Sequence, residues 1–495
     1  MLLHGMYFKE EKMAVLEGLK PEKVFEFFEM LCSVPHGSGN TKQISDLCVK
    51  FAKDRGLRCQ QDALNNVIIW KDATPGYESV EPLIFQGHID MVCASEPDCG
   101  FDMKQEGPKL YVDGDWVKAR KTSLGADNGI GVAITMALLD DDTLRHPRLE
   151  ALFTTDEETG MFGANGVDLS ELKGHNLINL DSEEEGSLTV SCAGGVRADC
   201  LFPADWETAS AGMRFYEVVI DGLKGGHSGA EIHKGRANAI RLMGRFLYEA
   251  EQQMDLRVAS MEGGTFTNVI PLYCRAVVAV PEDKASEFEA TVLYDAAVFK
   301  NEYLTADPGL AMHSAPTAAA ERVFSEERTR ALLQMMILAP NGVQAMSMDI
   351  PGLVQTSLNL GVVKTEGEGM GLYFSVRSSI QSQKEALVVK LSALCGLLGA
   401  SFRTHDPYPA WAFKKESRLR DAMAKACAGV YGKAPGITAT HGGLECGLFM
   451  EKRPDFDCVS LGPDLREVHS VRERLSISST EKLYRVVRSF VENWE

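Results

Sequence analysis

Basic charge, long apolar runs and paired cysteines are all scarce in this sequence. The chain has 51 lysines and arginines against 70 aspartates and glutamates, a formal net charge of −19. Nucleic acids and anionic membrane surfaces are bound through basic patches, so we expect neither as a partner. No apolar run approaches the length of about 20 residues that a membrane-spanning helix needs. These absences favour small molecules as substrates or ligands.

The cysteine pattern argues against a disulfide-stabilised secreted domain. The twelve cysteines are spread thinly and include no CxxC pair. We therefore expect buried free thiols in a reducing compartment. The first residues show no apolar signal-peptide core before the charged residues begin. On these grounds the sequence predicts a cytoplasmic protein.

The length and composition indicate a globular chain with more than one domain. At 495 residues the chain is too long for one compact core, and its 45% hydrophobic and 24% charged residues are ordinary for a globular protein. Helical and strand patterns alternate over residues 1–194, which predicts an α/β domain that residues 400–495 complete. Residues 195–399 differ in pattern and are expected to form an inserted α+β domain. Within it the order helix–strand–strand–helix occurs twice, so the insert could consist of one domain or of two similar lobes.

The most informative stretch is an apolar run that ends in a histidine and an aspartate. Residues 82–86 have the pattern of a buried strand, and His88 and Asp90 follow. Residues two apart in an extended chain point to the same side, so the imidazole and the carboxylate leave the strand together. A metal-binding histidine usually has an acceptor for its other ring nitrogen, which Asp90 could supply. A surface His-x-Asp on a loop fits the same short motif.

Acidic residues follow two more predicted strands. Residues 149–155 lead into an acidic run that contains Glu157 and Glu158, and residues 176–180 lead into Asp181. Ligand sites in open α/β sheets lie outside the carboxyl ends of the strands, so we expect these groups to gather there. Carboxylates gathered in this way repel one another unless a cation lies among them.

A glycine-rich segment at residues 123–131 opens an apolar helix and contains Asp127. Its glycines suggest a phosphate loop, but the Gly-Lys-Ser/Thr ending of such a loop is absent. A single aspartate at a helix entrance is most simply a helix cap. The other acidic positions make Asp127 a candidate metal ligand as well.

Together these positions predict a metal site. Imidazole and carboxylate ligands suit zinc, and also cobalt, manganese or nickel. Five ligands are too many for one tetrahedral catalytic site but suit two metals that share a carboxylate. Such a pair acidifies a shared water, and an acid beside a ligand, here Glu157, can take the proton of that water. The five candidate ligands are His88, Asp127, Glu158, Asp181 and His469.

Four ordered motifs resemble those of the dinuclear zinc exopeptidases and amidohydrolases, which include aminoacylase, succinyl-diaminopimelate desuccinylase and carnosinase-type dipeptidases. The motifs are GHIDMV at residues 87–92, SLGADNGIGVA at 123–133, TTDEETG at 154–160 and GGHSG at 225–229. The resemblance covers nearly the whole chain, and the long insert is most similar to the aminoacyl-histidine (Xaa-His) dipeptidases of this family. It implies an α/β catalytic domain, with a mixed sheet between helices, and an inserted lid domain.

The resemblance assigns the metals. It implies two Zn²⁺ ions per subunit, with Co²⁺ or Mn²⁺ as substitutes. It implies that His88 and Asp181 bind one ion, that Glu158 and His469 bind the other, and that Asp127 bridges them.

Catalytic roles are implied in the same way. Asp90 would orient the first metal-binding histidine, and Glu157 would act as general base and then as the acid that protonates the leaving amine. The peptide bond between Asp127 and Asn128 would be cis. His227 in the GGHSG motif would stabilise the oxyanion, with an ordinary hydrogen-bonded loop histidine as the alternative interpretation.

Substrate contacts are the last roles that the resemblance implies. Asn268 and Arg377 resemble lid residues that hold the substrate, and Arg377 is suited to a bidentate pair with a carboxylate. An ordinary strand arginine is an equally good interpretation. The amides of Gly442 and Gly443 are further candidate donors. The lids of many relatives are shorter and often dimerise. Whether this protein forms a homodimer, and whether His227 acts in its own subunit or in that of a partner, are therefore undecided by the sequence.

We therefore expect a zinc-dependent dipeptidase that hydrolyses Xaa-His dipeptides such as β-alanyl-histidine through a metal-activated water. One alternative is an N-acyl amino acid deacylase of the same family. Another is a metal-dependent binding protein without catalysis. The presence of both Asp90 and Glu157 speaks against the second alternative, because binding alone needs neither.

Overall fold

The computed structural model describes residues 14–367 and 369–495. The expectation that the chain has no signal-peptide core concerns residues 1–13, which lie outside the described residues. Within the described ranges, every helix is too short or too polar to cross a membrane. The helices are α1 Glu22–Cys32, α2 Lys42–Asp54, α3 Ala126–Asp140, α4 Phe162–Gly166, α5 Ala239–Glu251, α6 Ala285–Glu302, α7 Glu326–Leu338, α8 Gln381–Leu398, α9 Arg418–Tyr431, α10 Glu445–Lys452 and α11 Ile477–Glu492.

The strands complete the element order. The first eight are β1 Arg58–Gln61, β2 Val67–Lys71, β3 Leu83–His88, β4 Leu110–Asp113, β5 Trp116–Ala119, β6 Leu149–Thr154, β7 Asn176–Asn179 and β8 Ser187–Cys192. The next are β9 Gly194–Pro203, β10 Trp206–Thr208, β11 Met213–Asp221, β12 Gly226–His227, β13 Arg257–Gly263, β14 Val269–Ile270, β15 Cys274–Pro281, β16 Ala311–Pro316, β17 Arg322–Phe324, β18 Gly342–Met346, β19 Val354–Glu366, β20 Gly369–Ser378 and β21 Ser401–Tyr408. The last are β22 Gly436–Thr440, β23 Asp457–Ser460, β24 Leu465–Arg466 and β25 Arg474–Ser476.

The chain folds into two compact units, the second inserted into the first. Unit 1 comprises the described residues up to 190, then 414–438 and 448–495, and unit 2 comprises residues 191–413 and 439–447. Unit 2 continues past residue 399 because β21 pairs with β9 along an antiparallel register. The predicted domain boundaries, after residues 194 and 399, stay a prediction.

Unit 1 is built on an eight-stranded sheet in the order β1-β2-β6-β3-β7-β23-β8-β22. β3 lies between β6 and β7 and is parallel to both. All residues of these three strands are buried, which explains their nearly continuous apolar runs. Because the three strands are parallel neighbours, their carboxyl ends lie at one edge of the sheet. The predicted gathering of strand ends is confirmed.

Helix α3 is a core helix of unit 1. It contacts β3 and α1, and almost all of its side chains are buried. A helix that is apolar nearly all round belongs in the interior, as the segment IGVAITMALL predicts. Phe28 of α1 lies 3.3 Å from where a Cβ on Gly129 would be, so the two helices pack closely at the start of α3.

Unit 2 is built on a nine-stranded sheet in the order β16-β11-β15-β13-β19-β20-β9-β21, with β18 paired to β19. Helices α5 to α8 contribute to one continuous hydrophobic core with these strands. The two helix–strand–strand–helix repeats share this sheet, because β13 pairs with β19 through Glu262 with Lys364 and Gly263 with Val363. The predicted fold class, an α/β chain with an inserted α+β part, is confirmed.

Candidate functional site

The carboxyl ends of three neighbouring strands supply most of the candidate site. β3 ends at His88, β6 leads into the turn with Glu157 and Glu158, and β7 leads into Asp181. Ligand atoms of His88, Glu157 and Glu158 all lie within 4.8 Å of one another. Parallel pairing of the three strands brings these side chains to the same edge, although they are far apart in sequence.

Asp127 reaches this edge from the start of α3. Its φ of −83° and ψ of 104° interrupt the helix, and its peptide bond to Asn128 is cis, as predicted. Asn128 Nδ2 donates a hydrogen bond of 2.5 Å to the carbonyl oxygen of Leu180, next to Asp181. A Cβ on Gly131 would lie 2.5 Å from that same oxygen, so glycine is needed for this close approach.

Asp127 presents its two carboxylate oxygens to two different histidines. Oδ1 lies 3.2 Å from His88 Nε2, and Oδ2 lies 3.2 Å from His469 Nε2. Asp181 Oδ1 lies 3.4 Å from the first of these nitrogens, and Glu158 Oε2 lies 2.9 Å from the second. The structure therefore brings all five predicted ligands together, as two groups of three that share Asp127.

The donor set fits two metal ions. Each group of three joins one imidazole nitrogen to two carboxylates, a combination that suits zinc, cobalt or manganese. Glu158 Oε1 is buried and has no hydrogen-bond partner among the residues that the structure describes. Buried acceptors are paired in native proteins, and a cation that binds both carboxylate oxygens of Glu158 would supply the partner of Oε1.

The charges of the site perturb one another strongly. Hydrogen bonds to Asp127 and Glu158 raise the pKa of His469 to about 11. Burial raises the pKa of Asp181 to about 6, against the opposing effect of His88. Burial also acts to raise the pKa of Asp127, but hydrogen bonds from the two histidines outweigh it and hold that pKa well below its usual range. Metal ions bind such sites by replacing the histidine protons.

Asp90 connects two parts of the site. Its backbone carbonyl accepts a hydrogen bond of 3.0 Å from His88 Nδ1, and its Oδ1 lies 3.5 Å from the same nitrogen. With Nδ1 engaged, the Nε2 atom of His88 faces the carboxylates. The Asp90 carboxylate also accepts from the amide of Glu157 at 3.1 Å and from Ser38 Oγ at 2.8 Å. Asp90 therefore holds the turn of Glu157 as well as the first histidine.

Glu473 is a site residue that sequence reasoning missed. Its buried carboxylate accepts four backbone hydrogen bonds, of 2.7 to 3.2 Å, from consecutive amides at the entrance to α3. The last of these amides belongs to Asp127. In the sequence Glu473 alternates with arginines, a pattern typical of a solvated surface, so no local signal marks it. The four donors are those of Leu124, Gly125, Ala126 and Asp127.

His227 lies in unit 2, at the exposed end of β12. Its Nδ1 accepts hydrogen bonds of 3.2 Å from the amides of Gly229 and Ala230, which leaves the ring proton on Nε2. Burial and the nearby Arg377 lower the pKa of His227, although Glu231 opposes them. The ring is therefore a neutral donor through Nε2.

Arg377 is a buried arginine of β20 in unit 2. Its Nη1 donates to the hydroxyl of Tyr408 at 2.8 Å and to the carbonyl of His441 at 3.3 Å. Among the described residues, Arg377 Nε is buried without a hydrogen-bond partner. Burial and Arg377 lower the pKa of His441 to about 3, and His441 Nε2 lies 2.7 Å from Ser357 Oγ. An unsatisfied buried donor on a fixed arginine suits an anionic ligand.

The other predicted substrate contacts also lie in unit 2. Asn268 is half-buried, and its backbone carbonyl accepts from the amide of Ser228 at 2.8 Å. The amide of Gly442 already donates to Thr440 Oγ1 at 3.0 Å. A substrate role for Gly442 requires that bond to be exchanged, whereas the role of Gly443 stays a prediction.

Known proteins share both the sequence and the fold. The model of peptidase family M20/M25/M40 matches residues 84–493. Cytosol non-specific dipeptidase of Escherichia coli (strain K12) is 37% identical over 467 residues, 94% of this chain and 96% of that protein. The crystal structure of aminoacylhistidine dipeptidase from Vibrio alginolyticus is similar with a TM-score of 0.92 and 35% identity, covering 97% of this chain and 98% of that one. Aminopeptidase PepT from Bacillus cereus shares the fold, with a TM-score of 0.56, 16% identity and coverage of 96% and 98%.

These matches confirm the resemblance that the four motifs indicated. The family model contains all four motifs completely and extends from β3 to the final helix, α11. The chain belongs to peptidase family M20/M25/M40.

Proposed function

We propose that the protein is a cytoplasmic dipeptidase that hydrolyses Xaa-His dipeptides such as β-alanyl-histidine with two Zn²⁺ ions per subunit. The observation that carries this proposal is Asp127, whose two carboxylate oxygens face His88 and His469 on either side. A carboxylate placed in this way suits a bridge between two metals. The similar proteins from Escherichia coli and Vibrio alginolyticus are both named as dipeptidases, which supports a dipeptide as the substrate. The name of the Vibrio protein supports the choice of Xaa-His dipeptides.

Five side chains would hold the metals. His88 and Asp181 would bind one ion, Glu158 and His469 the other, and Asp127 would bridge them. When bound, the two ions would supply an acidified water and a polarised peptide carbonyl. Co²⁺ or Mn²⁺ would substitute for Zn²⁺, because the donor set of imidazoles and carboxylates accepts them.

Glu157 is proposed as the general base. Its carboxylate belongs to the group that includes His88 and Glu158, and its amide is held by the Asp90 carboxylate. It would take the proton of the attacking water and then deliver that proton to the leaving amine. Glu158 Oε2 lies 2.9 Å from His469 Nε2, so Glu158 would serve as a metal ligand and Glu157 as the base.

Unit 2 would supply the groups that hold the substrate. The Nε2–H of neutral His227 would donate to the oxyanion that forms during attack. The unsatisfied Nε–H of Arg377 would pair with the terminal carboxylate of the dipeptide, with Asn268 and Gly443 as further donors. A homodimer stays a prediction, as does the subunit from which His227 acts.

The test is release of free histidine from β-alanyl-histidine and glycyl-histidine by the zinc-loaded protein, with N-acetyl amino acids as parallel substrates. We expect histidine release that a chelator abolishes. Asp127→Asn should lose bound zinc and activity, whereas Asp142→Asn, at a carboxylate 98% exposed, should lose neither. Hydrolysis of the N-acetyl compounds alone would make the protein a deacylase. Zinc-loaded protein that cleaves neither class would contradict the proposal altogether.

A further inference from the structure

We propose that a cavity in unit 1 beside Glu158 receives the side chain of the substrate's amino-terminal residue, with Cys93 and Lys104 determining which side chains fit. This inference rests on the proposed dipeptidase function and adds a substrate class to it. The cavity has a volume of about 750 Å³. Its lining includes Ser38, Asn40, Met91, Cys93, Lys104 and Glu158.

The cavity adjoins the candidate metal site directly. Glu158, a proposed metal ligand, forms part of its wall together with Thr159. Another part of the wall is the loop of residues 37–40, which leads from α1 to α2. A ligand bound in the cavity is therefore in contact with a residue of the site.

The loop wall is fixed to both sides of the cavity. Ser38 Oγ donates to the Asp90 carboxylate at 2.8 Å, and the amide of Gly39 donates to Asp156 Oδ1 at 2.6 Å. On the other side, Asn40 Nδ2 donates to the carbonyl of Lys104 at 3.1 Å. These bonds tie the wall to the strand ends that carry the site, so the cavity is a built feature.

The proposed function determines which residue of a dipeptide lies next to the cavity. The carboxylates at this edge of the sheet do not decide it, because two bound Zn²⁺ ions would neutralise most of their charge. Arg377 is proposed to hold the terminal carboxylate, and the metal site that includes Glu158 is proposed to hold the scissile carbonyl. The residue that remains beside Glu158 is therefore the amino-terminal one, and its side chain is the part that can enter the cavity.

The cavity is large enough to hold bulky side chains. A volume of about 750 Å³ is in the range of pockets that hold whole small ligands, so no single side chain is excluded by size. Met91 and Met103 contribute flexible apolar surface, which adapts to ligands of different shape. The substrate class thus includes dipeptides with bulky aromatic or aliphatic amino-terminal residues.

Cys93 offers a way to close the cavity. It is the exposed member of the twelve cysteines, and its Sγ packs against Gly37 of the loop wall, in the space that a Cβ on Gly37 would need. A phenyl ring at position 93 is much larger than the thiol and would take up space beside this wall. Ser95 is exposed, lies two residues further along and does not line the cavity, so Ser95→Phe is the matched control.

The first experiment measures kcat/KM of zinc-loaded Cys93→Phe for phenylalanyl-histidine and glycyl-histidine. We expect the ratio of the two values to fall at least about tenfold from the wild-type ratio, because only the bulky side chain needs the cavity. Ser95→Phe should leave the ratio unchanged. An unchanged ratio in a Cys93→Phe protein that binds zinc and cleaves glycyl-histidine would overturn the inference. Wild-type protein that cleaves neither dipeptide would instead contradict the proposed function.

A charge change provides an independent arm that does not depend on how the first variant folds. Lys104 is exposed, so Lys104→Glu should fold, and it should shift kcat/KM from aspartyl-histidine towards lysyl-histidine by about threefold or more. Lys53→Glu, an exposed change in α2 away from the cavity, should leave that preference unchanged. Equal preferences in Lys104→Glu and Lys53→Glu would contradict the assignment of Lys104 as a residue that determines which side chains fit.

Discussion

At the scale of single residues, we expect two adjacent glutamates to have different tasks because their surroundings differ. Glu158 Oε2 lies 2.9 Å from His469 Nε2, and its other oxygen is buried, with no hydrogen-bond partner in the part of the chain that the structure describes. Glu157 shares the same edge of the sheet, and its backbone is held by Asp90. This difference supports the proposal that Glu158 is a metal ligand and Glu157 the general base.

Glu157→Gln should retain both metals and lose turnover by about 10²- to 10⁴-fold, because an amide cannot accept the proton of the attacking water. Metal content by elemental analysis and kcat for β-alanyl-histidine are the measurements. Glu184→Gln, at an exposed acid of a neighbouring loop, serves as the control. Normal turnover in Glu157→Gln would remove it as the base.

His227→Ala should lower kcat by about 10²- to 10³-fold with metal content unchanged, because one oxyanion donor is lost and no proposed ligand is touched. His313→Ala, at an exposed histidine of the same unit, should change neither quantity. A loss of bound metal in His227→Ala that matches the loss of kcat would mean that His227 acts on the metal site instead of the oxyanion.

At the scale of elements, the start of α3 is fixed by a residue from the other end of the chain. Glu473 accepts the amides of four consecutive residues, and the last of them carries the carboxylate that the two histidines share. Glu473 also follows His469 by four residues along the chain. One side chain thus sets the position of Asp127 and anchors the loop of the second histidine.

Glu473→Gln should weaken metal binding and destabilise unit 1 by about 1–3 kcal/mol, because an NH₂ group would face two amides that need an acceptor. Zinc affinity by competition with a chelator separates this positioning role from a general loss of stability. Glu481→Gln, an exposed change in α11, is the control. Unchanged zinc affinity in a destabilised Glu473→Gln protein would reduce its role to structural support.

Sequence patterns predicted the elements that carry the site because those patterns are local. The apolar runs of β3, β6 and β7 end at polar residues, and Gly125 directly precedes α3. The order of the strands in the sheet is not local, since β3 lies between two strands that follow it in the chain. The gathering of these side chains was predicted from a general rule, that ligand sites in open α/β sheets lie at the carboxyl ends of the strands.

At the scale of the whole molecule, the proposed metals belong to one unit. All five proposed ligands lie in unit 1, on chain segments separated by up to several hundred residues. Bound ions would therefore join the strand ends, the start of α3 and the loop of His469. Unit 2 carries its own sheet and core, with no proposed metal ligand among its described residues.

Removal of the metals should destabilise unit 1 selectively. A ligand that binds only the folded state at 100 times its Kd contributes about 2.7 kcal/mol, so chelation should lower the thermal transition of unit 1. Hydrogen exchange should increase at the ends of β3, β6 and β7 and stay unchanged in β19 and β20. Equal increases in both units would show that the ions stabilise the chain in some other way.

Residue type, spacing and runs along the chain were enough to predict the α/β class with its insert and the family, which are confirmed. The same patterns predicted the acidic and histidine ligands, which stay a prediction. Only the tertiary structure decided which oxygen of Asp127 faces which histidine, since that depends on strand order and on the entry angle of α3. It also decided the role of Glu473 and the cavity beside Glu158. Both depend on backbone amides and loop walls that fold together from distant segments, and no side-chain pattern encodes such contacts locally.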